Sequence, residues 1–178
     1  NYAQQQLSGV WKRDKPTLVL HTNGGPMQGQ KYPYNWCRDM PMELSVEMVN
    51  KYKNSHHIFH VCRKESPVLD GVERIDQPLD NLQLFSILAG SDKRILIDSC
   101  LQHAAAAFEM KSSVIWVGTH PQVFGYKLHD NIMANKPELA NQMIGSYMFD
   151  FNFENNIHEC PYNSVQEMFD FNKVLSRV

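Results

Sequence analysis

The run Arg94 to Phe108 (RILIDSCLQHAAAAF) limits the possible folds more than any other stretch of the chain. Arg94 to Ile97 read as a strand, Asp98 and Ser99 follow, and a small-residue helix begins whose first turn carries His103. Consecutive apolar positions, without alternation, suit a strand covered on both faces, and such strands occur in parallel sheets sandwiched by helices. Asp98 or Ser99 suits the helix N-cap, and Ala104 to Ala107 permit close packing on the sheet. The same junction brings backbone N–H groups, a hydroxyl and an imidazole to one sheet edge, where the helix dipole favours an anion. It predicts a phosphate seat.

A second segment, Ser113 to Pro121 (SVIWVGTHP), again ends a hydrophobic strand in a polar loop. Adjacent parallel strands deliver such loops to a common carboxyl edge, the usual ligand position in open α/β sheets. The first strand, Thr17 to Thr22 (TLVLHT), runs into Asn23-Gly24-Gly25-Pro26. That turn is not the dinucleotide fingerprint, because no third glycine follows at the required spacing. Strand ends after His21, Asp98 and Val117 are therefore expected on one rim.

Met27 to Met40 (MQGQKYPYNWCRDM) is a long aromatic and cationic loop, a length more often functional than accidental in a compact domain. Lys31 is either solvated or an anion ligand; Arg38 either pairs with Asp39 or serves the same anion. Pro41 starts a helix with Glu43 in its first turn. The next strand, His57 to Cys62, puts His60 and Cys62 on one face and His57 on the other, with no recognised zinc spacing. An inward Cys62, capping or exposed histidines and no metal are expected. Val72 to Asp76 reads as a short strand, Asp80 to Ala89 as an amphipathic helix ended by Gly90 and Ser91, and Pro121 to Asn131 as a loop. Helices are expected at Glu138 to Phe149 and Ser164 to Leu175, the latter with Ser164 and Glu167 in capping-box relation.

With 178 residues, 43% of them hydrophobic, the chain suits one compact domain. Residues 1–15 read as a linker or terminal arm and residues 16–178 as the folded unit. A net charge of −2, from 17 basic and 19 acidic residues, gives no general attraction to nucleic acid, so any anion site must be local. Cys37, Cys62, Cys100 and Cys160 are widely spaced, and neither a signal peptide nor a spanning segment is visible. A reduced, cytoplasmic protein is the economical expectation. The fold class expected is a three-layer α/β, Rossmann-like domain with a mainly parallel sheet of about five strands.

From about Thr17 to Asn131 the chain resembles the carboxyl-terminal half of glycosyltransferase family 9, the heptosyltransferase-like enzymes of GT-B fold. That family shows an Asp-Thr-Gly-x-x-His run opening a helix, and here the Asp98 to His103 spacing is kept with Ser99 for the Thr. Cys100 replaces the motif's Gly, which bears on how closely a donor phosphate approaches. Gly118-Thr119-His120-Pro121 stands for the family's Gly-x-Thr-x-Pro-like loop, and Tyr126 and His129 lie where a loop closes over the donor sugar. The resemblance implies one half of a GT-B enzyme, a nucleotide-activated sugar as ligand, an amino-terminal acceptor domain outside this chain, and inverting transfer without metal or cofactor. It implies that Lys31 or Arg38 neutralises the leaving diphosphate, and that Ser99, His103 and helix amides hold it with Gly118 and Thr119 alongside. Asp98 is expected to orient the junction, since a carboxylate repels phosphate. The general base belongs to the other half, so no catalytic residue is assigned, and these residues alone should bind donor weakly without turnover. Two alternatives stay open: a non-catalytic nucleotide-binding or interaction module, and another Rossmann-like enzyme in which Asp98 and His103 converge as acid and base.

Overall fold

The computed structural model describes residues 14–24, 38–135 and 162–178. Lys31, Trp36, the terminal arm up to residue 13, the helix expected at 138–149 and the irregular stretch after it lie outside the described residues. Six parallel strands form one sheet: β1 (Thr17–His21), β2 (His57–Val61), β3 (Glu73–Ile75), β4 (Lys93–Ile97), β5 (Ser113–Trp116) and β6 (Asp130–Met133). Their spatial order is β3-β2-β1-β4-β5-β6. Helices α1 (Met42–Tyr52), α2 (Asn81–Ala89), α3 (Cys100–Ala107), α4 (Pro121–Phe124), α5 (Val165–Met168) and α6 (Phe171–Arg177) connect or cover these strands. The expected α/β, Rossmann-like architecture is present.

Strand alternation divides the core into two layers. Leu18, Leu20, Ile58, Ile95, Ile97 and Ile115 face α1 and α6, where they meet Leu44, Met48 and Val174. Val19, Phe59, Leu96, Val114 and Trp116 face α2 and α3, where Leu88, Leu101 and Ala105 close the second layer. Leu18, Val19 and Leu20 are each 0% exposed, so the central strand is apolar on both sides. Each such side chain contributes about 1.5–3 kcal/mol of transfer free energy.

Three elements differ from expectation, and the first is α4, a single helical turn at the start of the stretch expected to be a loop, with Pro121 at its first position. Asp130 to Met133, whose first residues were read as the end of a loop, pairs with β5 as the sheet's last strand. The helix expected from Ser164 to Leu175 is two helices: Ser164 caps α5 through Glu167 N, and Asp170 caps α6 through Lys173 N. Phe169 sits between them in extended conformation and is 1% exposed. Burying that ring in the α1 layer breaks the helical path.

Candidate functional site

The chain runs outward from β1 to β2 and β3, then returns to the other side of β1 for β4, β5 and β6. The order therefore reverses between β1 and β4. In open α/β sheets the ligand crevice lies outside the carboxyl ends of the strands at such a switch point. Two side chains span it. His21, on the α3 face of β1 with Val19, places Nδ1 2.9 Å from Ser99 Oγ at the end of β4. Arg38 donates from Nε and Nη2 to the Asp98 carbonyl oxygen, at 3.2 and 3.0 Å. Among the described residues, no ion pair joins Arg38 to Asp39 or to another carboxylate.

Ser99 is the N-cap of α3, its Oγ accepting from Leu101 N at 3.3 Å. The first amides of α3 are partly used, Leu101 N by Ser99 Oγ and Gln102 N by the Ser99 carbonyl at 3.2 Å, while the dipole of this helix end still favours an anion. Arg38 spends two of its five N–H donors on Asp98 and is half-buried, so the rest of the fork remains for an anion. The β1–α1 connection is clasped at its base. Gly24 N donates to Asp39 Oδ1 at 3.0 Å, Met40 N to the Thr22 carbonyl at 2.9 Å, and Asp39 forms a buried ion pair with Arg63. Arg74 on β3 holds the neighbouring β2–β3 loop through the carbonyls of Arg63, Lys64 and Ser66, at 2.7–2.9 Å.

Both strand histidines near this rim are buried and neutral. Burial pushes His21 down to about 3, and His60, Arg38 and Arg63 nearby act in the same direction, against a hydrogen bond to the Asn23 backbone. Burial, with Arg74, pushes His60 down to about 4. His60 Nε2 lies 2.7 Å from Thr22 Oγ1, and the residue is 2% exposed, so it is neither the capping nor the exposed histidine expected. In a strand covered on both faces, a histidine is enclosed like its apolar neighbours.

His103 is exposed on α3, with Nδ1 3.0 Å from the Tyr126 hydroxyl and the two rings edge to face. Tyr126 in turn packs edge-on to His129, whose Nε2 meets the Gln102 carbonyl at 2.9 Å. The loop before β6 is thereby joined to the helix carrying His103. Gly118 and Thr119 are buried in the bend after β5, and Thr119 Oγ1 has no hydrogen-bond partner among the described residues. His120 caps α4 through Gln122 N at 3.1 Å. Asp98 and His103 do not converge: the hydrogen bonds of His103 run to Tyr126 and Gln102. Of the candidates from sequence, Arg38, Asp98 and Ser99 meet at the crevice, His103 lies one turn along α3, and Lys31 is outside the described residues. His21 was missed, although its place at the end of the most apolar strand, directly before a polar turn, marks it.

A separate pocket of about 320 Å³ opens on the α1 side of β1, with Thr22, Asn23, His60 and Ser66 at its base and Met40, Met42 and Leu69 among its walls. Its described lining holds carboxylates but neither Lys nor Arg, so it does not serve an anion.

The described fold is similar to E. coli ADP-heptose lps heptosyltransferase II, with a TM-score of 0.55 at 9% identity over 75% of this chain and 42% of that one. It is also similar to E. coli heptosyltransferase WaaC, solved with ADP, with a TM-score of 0.52 at 17% identity over 82% of this chain and 48% of that one. The fold is heptosyltransferase-like. The chain spans less than half the length of either enzyme. No family model matches it, and no curated protein does. Among the described residues, no helix is long and apolar enough to cross a membrane.

Proposed function

We propose that this chain is the donor-binding part of a glycosyltransferase and takes a nucleotide-activated sugar in the crevice between β1 and β4. The observation that carries the reading is the convergence of Arg38 and the capped end of α3 where the strand order reverses. Magnitudes decide how the work is shared. A helix terminus contributes about 0.3–1 kcal/mol toward an anion, whereas micromolar binding needs about 8 kcal/mol. The guanidinium, the amides and the His103–Tyr126 pair must therefore act together, with Lys31 as a further cation. The diphosphate would lie against the α3 amides and Arg38, Gly118 and Thr119 would bound it on the β5 side, and His103 and Tyr126 would face the part beyond. Transfer would proceed with inversion and without metal, with the acceptor and the general base supplied by a second, amino-terminal domain, and the protein would act in the cytoplasm. The other enzymatic reading required Asp98 and His103 within reach of one another, and their hydrogen bonds run elsewhere.

A thermal-shift panel of ADP-, UDP-, GDP- and CMP-sugars tests this, because a ligand bound only by the folded state raises the melting temperature. One nucleotide series should stabilise the protein, and Arg38→Ala should weaken that series about tenfold, the equivalent of about 1.4 kcal/mol. No response to any of the four, or a response indifferent to Arg38→Ala, would sink the proposal.

A further inference from the structure

The hydroxyl of Ser99 has one proton and two neighbours. Leu101 N donates to Oγ at 3.3 Å, which uses a lone pair, and His21 Nδ1 lies 2.9 Å away. The proton either points inward to that nitrogen or outward to the crevice. His21 is 7% exposed and Ser99 5%, so neither group is turned to solvent. A neutral imidazole has one donor and one acceptor nitrogen, and with its proton on Nε2 the His21 ring accepts at Nδ1 and the Ser99 proton points inward.

We propose that His21, protonated at Nε2, is a positioning residue for the crevice: by accepting the Ser99 proton it locks that hydroxyl as an acceptor-only cap of α3, so that a ligand meets no hydroxyl donor there. The ligand step of this inference rests on the donor-binding reading; the lock itself does not. Serine beside histidine also serves elsewhere as a nucleophile with its base. Here the serine oxygen is buried and committed to the cap, and the burial that keeps the ring neutral makes it a poor base at neutral pH.

Two kinds of measurement on the full chain decide it. In the wild type, the ¹⁵N spectrum of the His21 ring should show the tautomer protonated at Nε2 and bare at Nδ1; a proton on Nδ1 overturns the proposal without any mutation. Among variants, His21→Leu removes the acceptor, whereas His21→Asn keeps an oxygen close to the position of Nδ1. His21→Leu should speed amide exchange at Leu101 about fivefold, as expected for a slackened cap, and weaken ADP by a similar factor. His21→Asn should restore both to within about twofold. A merely space-filling His21 would lower the melting temperature in both variants and leave Leu101 exchange and ADP affinity alike in the two, which would overturn the proposal. If the wild type takes up no ADP, the donor reading fails, and the tautomer and the Leu101 exchange still decide the lock.

Discussion

His21 ends β1 and Ser99 opens α3 just past β4, 78 residues apart in the chain, yet their side chains meet at 2.9 Å in the middle of the sheet's carboxyl rim. The contact serves two elements together, because the oxygen that receives the ring's attention also caps α3. Removing it should therefore cost more than a surface cap. We expect Ser99→Ala to lose about 1 kcal/mol for the cap and about 1–3 kcal/mol more for the unpaired buried nitrogen. Urea denaturation would measure the sum, and a loss under about 0.5 kcal/mol, the range of an ordinary surface change, would contradict the arrangement.

Acid should unfold the protein through its buried histidines. His21 and His60 stay neutral in the native state, down to about 3 and about 4, while an unfolded chain protonates them at 6.5. The unfolded state then binds more protons below 6.5, so the stability is fully present above that pH and declines as pH falls toward the native values. The loss should reach about 2 kcal/mol per histidine by pH 5. Equal urea midpoints at pH 7 and pH 5 would refute this, and His21→Asn with His60→Gln should flatten the dependence.

The Asp39–Arg63 pair should be unforgiving. Both side chains are largely buried, and Asp39 also receives the Gly24 amide. Removing Asp39 takes away the carboxylate that meets both the Arg63 guanidinium and the Gly24 amide, so Asp39→Ala should cost about 3–5 kcal/mol, whereas replacing both partners by apolar residues of similar volume should cost far less. A double-mutant cycle measures the coupling. Additive single effects would count against it.

Two glycines should behave oppositely. A Cβ on Gly125 would lie 2.7 Å from the Pro121 carbonyl oxygen and 2.8 Å from its Cα, whereas one on Gly24 would meet only Arg38 side-chain atoms at 3.6–3.8 Å. Gly125→Ala should cost about 1–3 kcal/mol through overpacking against backbone, and disturb the Tyr126 contact beyond it. Gly24→Ala should be nearly silent in the same melting assay. Equal melting temperatures for the two would be the contrary result.

The parts of this fold that periodicity reveals were those where the inner positions of a strand are consecutively apolar. Thr17 to His21, Arg94 to Ile97 and Ser113 to Trp116 announce a sheet covered on both faces, and their ends share the rim expected. β6 escaped notice because Asp130 and Asn131 open it, and these are turn residues by propensity. The break at Phe169 was signalled by Asp170, a second cap two residues after α5, but the apolar period ran across it. At the site, Arg38 was legible as a cation in a long loop. Its target was not, because a backbone carbonyl sixty residues away leaves no mark in the sequence. The histidines were misjudged for a related reason: residue type suggests polarity, while position in a covered strand decides burial.

The strand order also governs how the protein comes into being. β1 takes β2 as one neighbour early, through pairs such as Leu18↔Ile58, but its other neighbour, β4, begins 75 residues downstream, where Asp92 accepts from Thr17 N. A nascent chain released as far as β3 holds its most apolar strand at an open margin, able to recruit any passing strand. That margin closes only once β4, through Ile97, has been made, so late pairing sets how long the central strand stays exposed during synthesis.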